Sequence, residues 1–119
     1  MKTTLVIGAS TNPERYAFKA INSLLNHEHK VFALGLKKGE VKDVVFDTER
    51  IQYSDIDTVT LYIGPQNQPD YYDYIESLNP KRVVFNPGTE NEEFEQRLQA
   101  KGIEAIEACT LVLLATNQY

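Results

Sequence analysis

The chain has 119 residues, 42% of them apolar, with 17 acidic and 12 basic side chains and a formal charge of −5. That length suits one domain, spanning 1–119, which buries about two-thirds of its surface, and the apolar share excludes a disordered chain. The acidic balance argues against a nucleic-acid binder, which needs a basic face to neutralise phosphates, but leaves room for a small anion held by a local basic cluster.

Thr4-Leu5-Val6-Ile7 is a compact β-type run ended by Gly8-Ala9-Ser10. Asn12-Pro13 then reads as a helix start, because Asn suits the N-cap and Pro at the first helical position loses no needed N–H. Ala17, Ile21, Leu24 and Leu25 form one face of that helix. Val31 to Leu34 is the next strand, closed by Gly35. Residues 36–57 are irregular, with Val44-Val45-Phe46 and Ile51-Gln52-Tyr53 as short extended pieces. Thr58 to Ile63 is a strand ended by Gly64-Pro65, and Pro69 opens a helix with Tyr71, Tyr74, Ile75 and Leu78 on one face. Asn79-Pro80 stops it.

Arg82 to Phe85 is a fourth strand, ended by Asn86-Pro87-Gly88. Thr89 to Glu92 fits a capping box with Thr89 at the N-cap. Phe94 and Leu98 supply the stripe of that helix, and Gly102 stops it. Ile103 to Ala108 is the fifth strand, and Leu111 to Ala115 fits either a short helix or an edge strand.

Short continuous apolar strands alternating with amphipathic helices predict a parallel sheet covered on both faces. Right-handed crossovers make this a doubly wound, Rossmann-like α/β domain of about five strands, with its ligand beyond the carboxyl ends of the strands. Those ends carry Gly or Pro beside small polar residues.

The first turn, Gly8-Ala9-Ser10-Thr11-Asn12-Pro13, keeps only the first glycine of a dinucleotide fingerprint. Free N–H groups at the helix N-terminus still favour an anion there, and Ser10, Thr11 and Asn12 add side-chain donors. The alternative is that these three residues only cap the helix. After the second strand, where NAD-binding domains usually place an acid, stand Lys37 and Lys38. Two ammonium groups suit an extra phosphate on the ribose, as in NADP or coenzyme A, or are simply solvated. Arg15, a cation in the first helical turn, opposes the dipole unless an anion lies nearby.

One cysteine, Cys109, excludes an internal disulfide framework and a Cys-based zinc site, and a cytoplasmic protein is the natural reading. A buried inert thiol is its default role. No metal-ligand spacing, G-x-S-x-G elbow, Walker lysine or acid–base pair is present, so no catalytic residue is named. No apolar run approaches the ~20 residues of a membrane span, and Leu5-Val6-Ile7 is too short for a signal-peptide core.

Val6 to Arg15, with its G-A-S-x-N-P-x-R pattern, resembles the opening of the small single-domain CoA-binding proteins of bacteria and archaea. These are related to the CoA-binding domain of the succinyl-CoA synthetase alpha subunit. The resemblance extends over nearly the whole chain, through a second strand ending near lysine, a third near proline, a P-G turn and a late cysteine. It implies coenzyme A or acyl-CoA lying across the strand ends. Gly8, Ser10, Thr11, Asn12 and Arg15 would then form the pyrophosphate loop, and Lys37 and Lys38 would lie near the nucleotide's phosphate. Gly64 and Pro65 would border the adenosine, and Asn86 and Gly88 the pantetheine arm. The ligase's catalytic histidine lies in a second domain, so ligase activity does not carry over.

The leading expectation is therefore a cytoplasmic CoA or acyl-CoA binder without chemistry of its own, acting alone, as a homodimer or with a partner protein. The alternatives are an NADP-dependent oxidoreductase-like domain and an interaction module that has lost its ligand.

Overall fold

The computed structural model describes all 119 residues. Five parallel strands lie in the order β2-β1-β5-β6-β7. They are β1 (Thr4–Ala9), β2 (Val31–Gly35), β5 (Thr58–Leu61), β6 (Arg82–Phe85) and β7 (Glu104–Glu107). The helices are α1 (Tyr16–Asn26), α2 (Tyr72–Leu78), α3 (Glu92–Ala100) and α4 (Thr110–Ala115).

The alternating side chains of the strands feed two cores. Leu5, Ile7, Val59, Leu61, Val83 and Phe85 meet Tyr72, Ile75, Leu78, Phe94 and Leu98 of α2 and α3 on one face. Val6, Ala9, Val31 and Ala33 meet Ala17, Ile21 and Leu24 of α1 and Leu114 of α4 on the other. Strands buried on both faces cannot alternate apolar and polar residues, which is why they read as continuous apolar runs.

The winding reverses at β1. The chain moves out through α1 to β2, then returns past β1 to build β5, β6 and β7 on the opposite side. A doubly wound sheet opens a crevice at that reversal, beyond the carboxyl ends of the two central strands. Here those strands are β1 and β5.

Several expected boundaries move, each for a local reason. The α1 helix starts at Tyr16 rather than Pro13, because Asn12 closes a turn of its own. Its carbonyl accepts from the Arg15 N–H at 3.0 Å and its side chain from the Glu14 N–H at 3.0 Å. The N-cap of α3 is Asn91, which accepts from the Phe94 N–H at 3.1 Å, and not Thr89, whose hydroxyl donates back to Asn86.

In α2 the buried stripe is Tyr72, Ile75 and Leu78. Tyr71 and Tyr74 instead hold the preceding loop. The Arg50 guanidinium lies 4.1 Å over the Tyr71 ring, and the Tyr74 hydroxyl donates to the Ile51 carbonyl at 2.6 Å. Ile51 to Tyr53 is therefore pinned by side chains rather than paired as a strand. The expected extended piece at Val44 is real: β4 (Val44–Phe46) pairs antiparallel with β3 (Gly39–Val41). That hairpin packs Val41, Val44 and Phe46 into the α1 core. Leu111 to Ala115 is helical and belongs to α4.

Candidate functional site: a cationic cleft at the sheet reversal

A cleft of about 830 Å³ opens beyond β1 and β5. This is within the ~300–1,000 Å³ of small-molecule sites. Of the residues singled out from the sequence, Gly8, Ser10, Thr11, Asn12, Arg15, Lys37, Lys38, Gly64 and Gly88 line it together. Two do not. Pro65 is exposed at the start of a short 3₁₀ turn outside the wall. Asn86 is 2% exposed and lies beneath the floor.

Near its carboxyl end β1 is irregular at Gly8, where its pairing with β2 shifts register between Ile7 and Ala9. The φ of Gly8 is +97°, and a Cβ there would sit 2.7 Å from the Tyr62 carbonyl oxygen. Glycine is thus required by the close passage of β1 and β5. From Gly8 the chain enters the loop that faces the cleft. The Ser10 hydroxyl accepts from the Asn12 N–H at 3.1 Å, leaving its proton free to donate. The backbone N–H groups of Ser10 and Thr11 have no partner in the protein.

The N-terminus of α1 points at the same space, with Tyr16 and Ala17 in the wall. No side chain caps it, and no acid stands in its first turn. An uncapped helix start carries roughly half a positive charge in orphan N–H groups. Arg15 is its N-cap residue, with Lys37 and Lys38 across the cleft after β2. All three cations are exposed, and none forms an ion pair; the five pairs of the protein lie elsewhere. In a chain of charge −5, three unpaired cations and an open helix N-terminus meet in one cleft. Glu14 is the single carboxylate in its lining.

Beneath the cleft lining lies a buried polar network. Asn86 Nδ2 donates to Thr60 Oγ1 at 2.6 Å and to the Leu61 carbonyl at 2.8 Å, while its Oδ1 accepts from the Thr110 N–H at 2.8 Å. The hydroxyls of Thr60 and Thr110 are 2.8 Å apart. Beside them the Tyr62 hydroxyl is buried with no partner of good geometry, and burial pushes its pKa well above the usual phenol range.

Gln68, fully buried, ties the two ends of the far wall. Its Nε2 donates to the carbonyls of Ile63 at 3.0 Å and Thr89 at 2.7 Å, and its Oε1 accepts from Asn91. Sequence reasoning missed Gln68, which stands in the polar run Gln66-Asn67-Gln68 and has no periodicity to mark it as buried.

A family model described as the CoA binding domain matches residues 2–115. The chain belongs to the CoA binding domain family. A crystal structure of an uncharacterized protein is 50% identical to this family member, with a TM-score of 0.98 over 100% of this chain and 98% of that one. A hypothetical protein from Pyrococcus horikoshii OT3 is 26% identical, with a TM-score of 0.84 over 93% and 80% of the two chains. At 21% identity, the Thermus thermophilus protein cell-free ID.343 shares the fold, with a TM-score of 0.87 over 99% and 90%. No functionally curated protein matches this CoA binding domain.

Proposed function

We propose that the protein is a cytoplasmic binder of coenzyme A or its acyl thioesters, held in the cleft, without catalytic machinery of its own. The observation that carries this reading is the uncapped α1 N-terminus facing one cleft with three unpaired cations. Helix N-termini with free backbone N–H groups are ready-made phosphate sites. In this reading the Gly8–Asn12 loop and Arg15 hold the pyrophosphate, and Lys37 and Lys38 the ribose phosphate. Gly64 borders the adenosine, and Gly88 the pantetheine arm. Membership of the CoA binding domain family supports the choice of ligand. The lining holds no His or Cys and one exposed carboxylate, which suits binding rather than proton transfer.

The same lysines would serve the 2′-phosphate of NADP, the second reading of this cleft. Native mass spectrometry of protein purified from cells separates them. A retained mass of CoA or an acyl-CoA is the expected result. A retained NADP would replace the reading with the oxidoreductase-like one, and bare protein that also ignores added CoA would leave an interaction module.

A further inference from the structure

A second cavity, of about 210 Å³, opens beside the cleft and is lined by Tyr16, Tyr62, Asn86, Pro87, Cys109 and Leu111. Tyr16, Tyr62 and Pro87 line both spaces, so the two are adjacent. The cleft itself is asymmetric along its length. Its cations and the open helix N-terminus lie at the β1–β2 end, while Tyr62 to Gly64 and Pro87 to Thr89 contribute no charged side chain. A ligand with its phosphates at the first end would lay its uncharged arm toward β6, the side on which the small cavity adjoins the cleft.

We infer that this cavity seats a short, uncharged acyl group, making the protein a receptor for short-chain acyl-CoA thioesters in preference to free CoA. The inference rests on the CoA reading of the cleft. Its support is the chemistry of the wall. All three hydrogen-bonding positions of Asn86 that the network uses are directed inward, to Thr60, Leu61 and Thr110. The Tyr62 hydroxyl is buried, so its ring is the surface presented. Tyr16, Pro87, Leu111 and the Cys109 thiol complete a lining with no ionised group. An acyl group bearing a second carboxylate would find no cation there and would lose its hydration. The volume falls below the ~300 Å³ at the lower end of whole-ligand sites. It therefore holds an acyl chain of up to about seven groups of water's size, at roughly 30 Å³ each, and not a long chain.

The test is calorimetric titration of ligand-free protein with CoA, butyryl-CoA, succinyl-CoA and palmitoyl-CoA. Each buried methylene is worth about fourfold in affinity. Butyryl-CoA is expected to bind at least about tenfold tighter than CoA, which corresponds to about 1.4 kcal/mol. Succinyl-CoA should bind no tighter than CoA, and palmitoyl-CoA, whose chain exceeds the cavity, no tighter than butyryl-CoA. Cys109→Phe, which fills the cavity, should bring the butyryl-to-CoA ratio close to one. If that variant does not fold, the wild-type series decides alone. CoA binding with no gain from the butyryl group overturns this inference and leaves the CoA reading standing. Binding of none of the four overturns both.

Discussion

At Gly8 a side chain would collide with the Tyr62 carbonyl, and its φ of +97° is one that other residues rarely adopt. Packing thus explains the one glycine kept from the dinucleotide pattern, and the loop it releases does the presenting. Ser10, Thr11 and Asn12 do not cap α1; they shape a turn before it, and the helix start stays open. Arg15 and the two lysines are the residues whose placement composition alone could not give, because their meaning lies in having no partner.

If Lys37 and Lys38 read a ribose phosphate, the protein prefers CoA over dephospho-CoA, which lacks the 3′-phosphate. A charge-assisted contact is worth roughly 1.5–3 kcal/mol, and exposure brings this toward the lower end, about tenfold. The Lys37→Ala/Lys38→Ala protein should lose most of that preference while its affinity for dephospho-CoA stays near the parent's. The parent's preference should also shrink as salt is added. A double variant that keeps the full preference would assign the phosphate to Arg15 instead.

Among the elements, the turn after β6 carries a residue that lines the small cavity and also ties the fold together. Asn86 stands where the resemblance implies a pantetheine contact, yet its side chain joins β5, β6 and the start of α4. Asn86→Ala would leave the Thr110 N–H and the Leu61 carbonyl without this partner in a dry interior. Each buried group so orphaned costs about 1–3 kcal/mol. The expected loss is about 2–4 kcal/mol, or roughly 10 °C in Tm for a domain of this size. Thermal unfolding of the two proteins checks it, and an unchanged Tm would show that the network carries no stability.

The strands and helices of the parallel sheet were legible because burial on both faces, or on one helical stripe, imposes a period on the sequence. Residues 36–57 were not. The β3–β4 hairpin is held by Val41, Val44 and Phe46 against α1, and Ile51 to Tyr53 by Tyr71, Tyr74 and a Phe32–Tyr53 ring stack at 4.2 Å. Such long-range contacts leave no local period. Helix starts shifted because polar side chains have local alternatives: Asn12 closes a turn before α1 instead of capping it, and Asn91 rather than Thr89 caps α3.

For the whole molecule, the topology places the loops after β1, β2, β5 and β6 around one crevice, and the charge distribution gives that crevice a sign opposite to the chain's own −5. The fold thus concentrates into one cleft three of the cations that the sequence scatters. A local positive site on a protein of net negative charge suits a small phosphorylated ligand better than a long polyanion, which also meets the acidic remainder of the chain. The central claim is that coenzyme A occupies this cleft in the native state only. Such a ligand stabilises by RT ln(1 + [L]/Kd), about 2.7 kcal/mol at a hundredfold excess over Kd. Thermal unfolding of protein shown to be ligand-free, with and without millimolar CoA, measures this directly. The predicted result is a rise in Tm of roughly 10 °C at that excess; an unmoved Tm in millimolar CoA would contradict it.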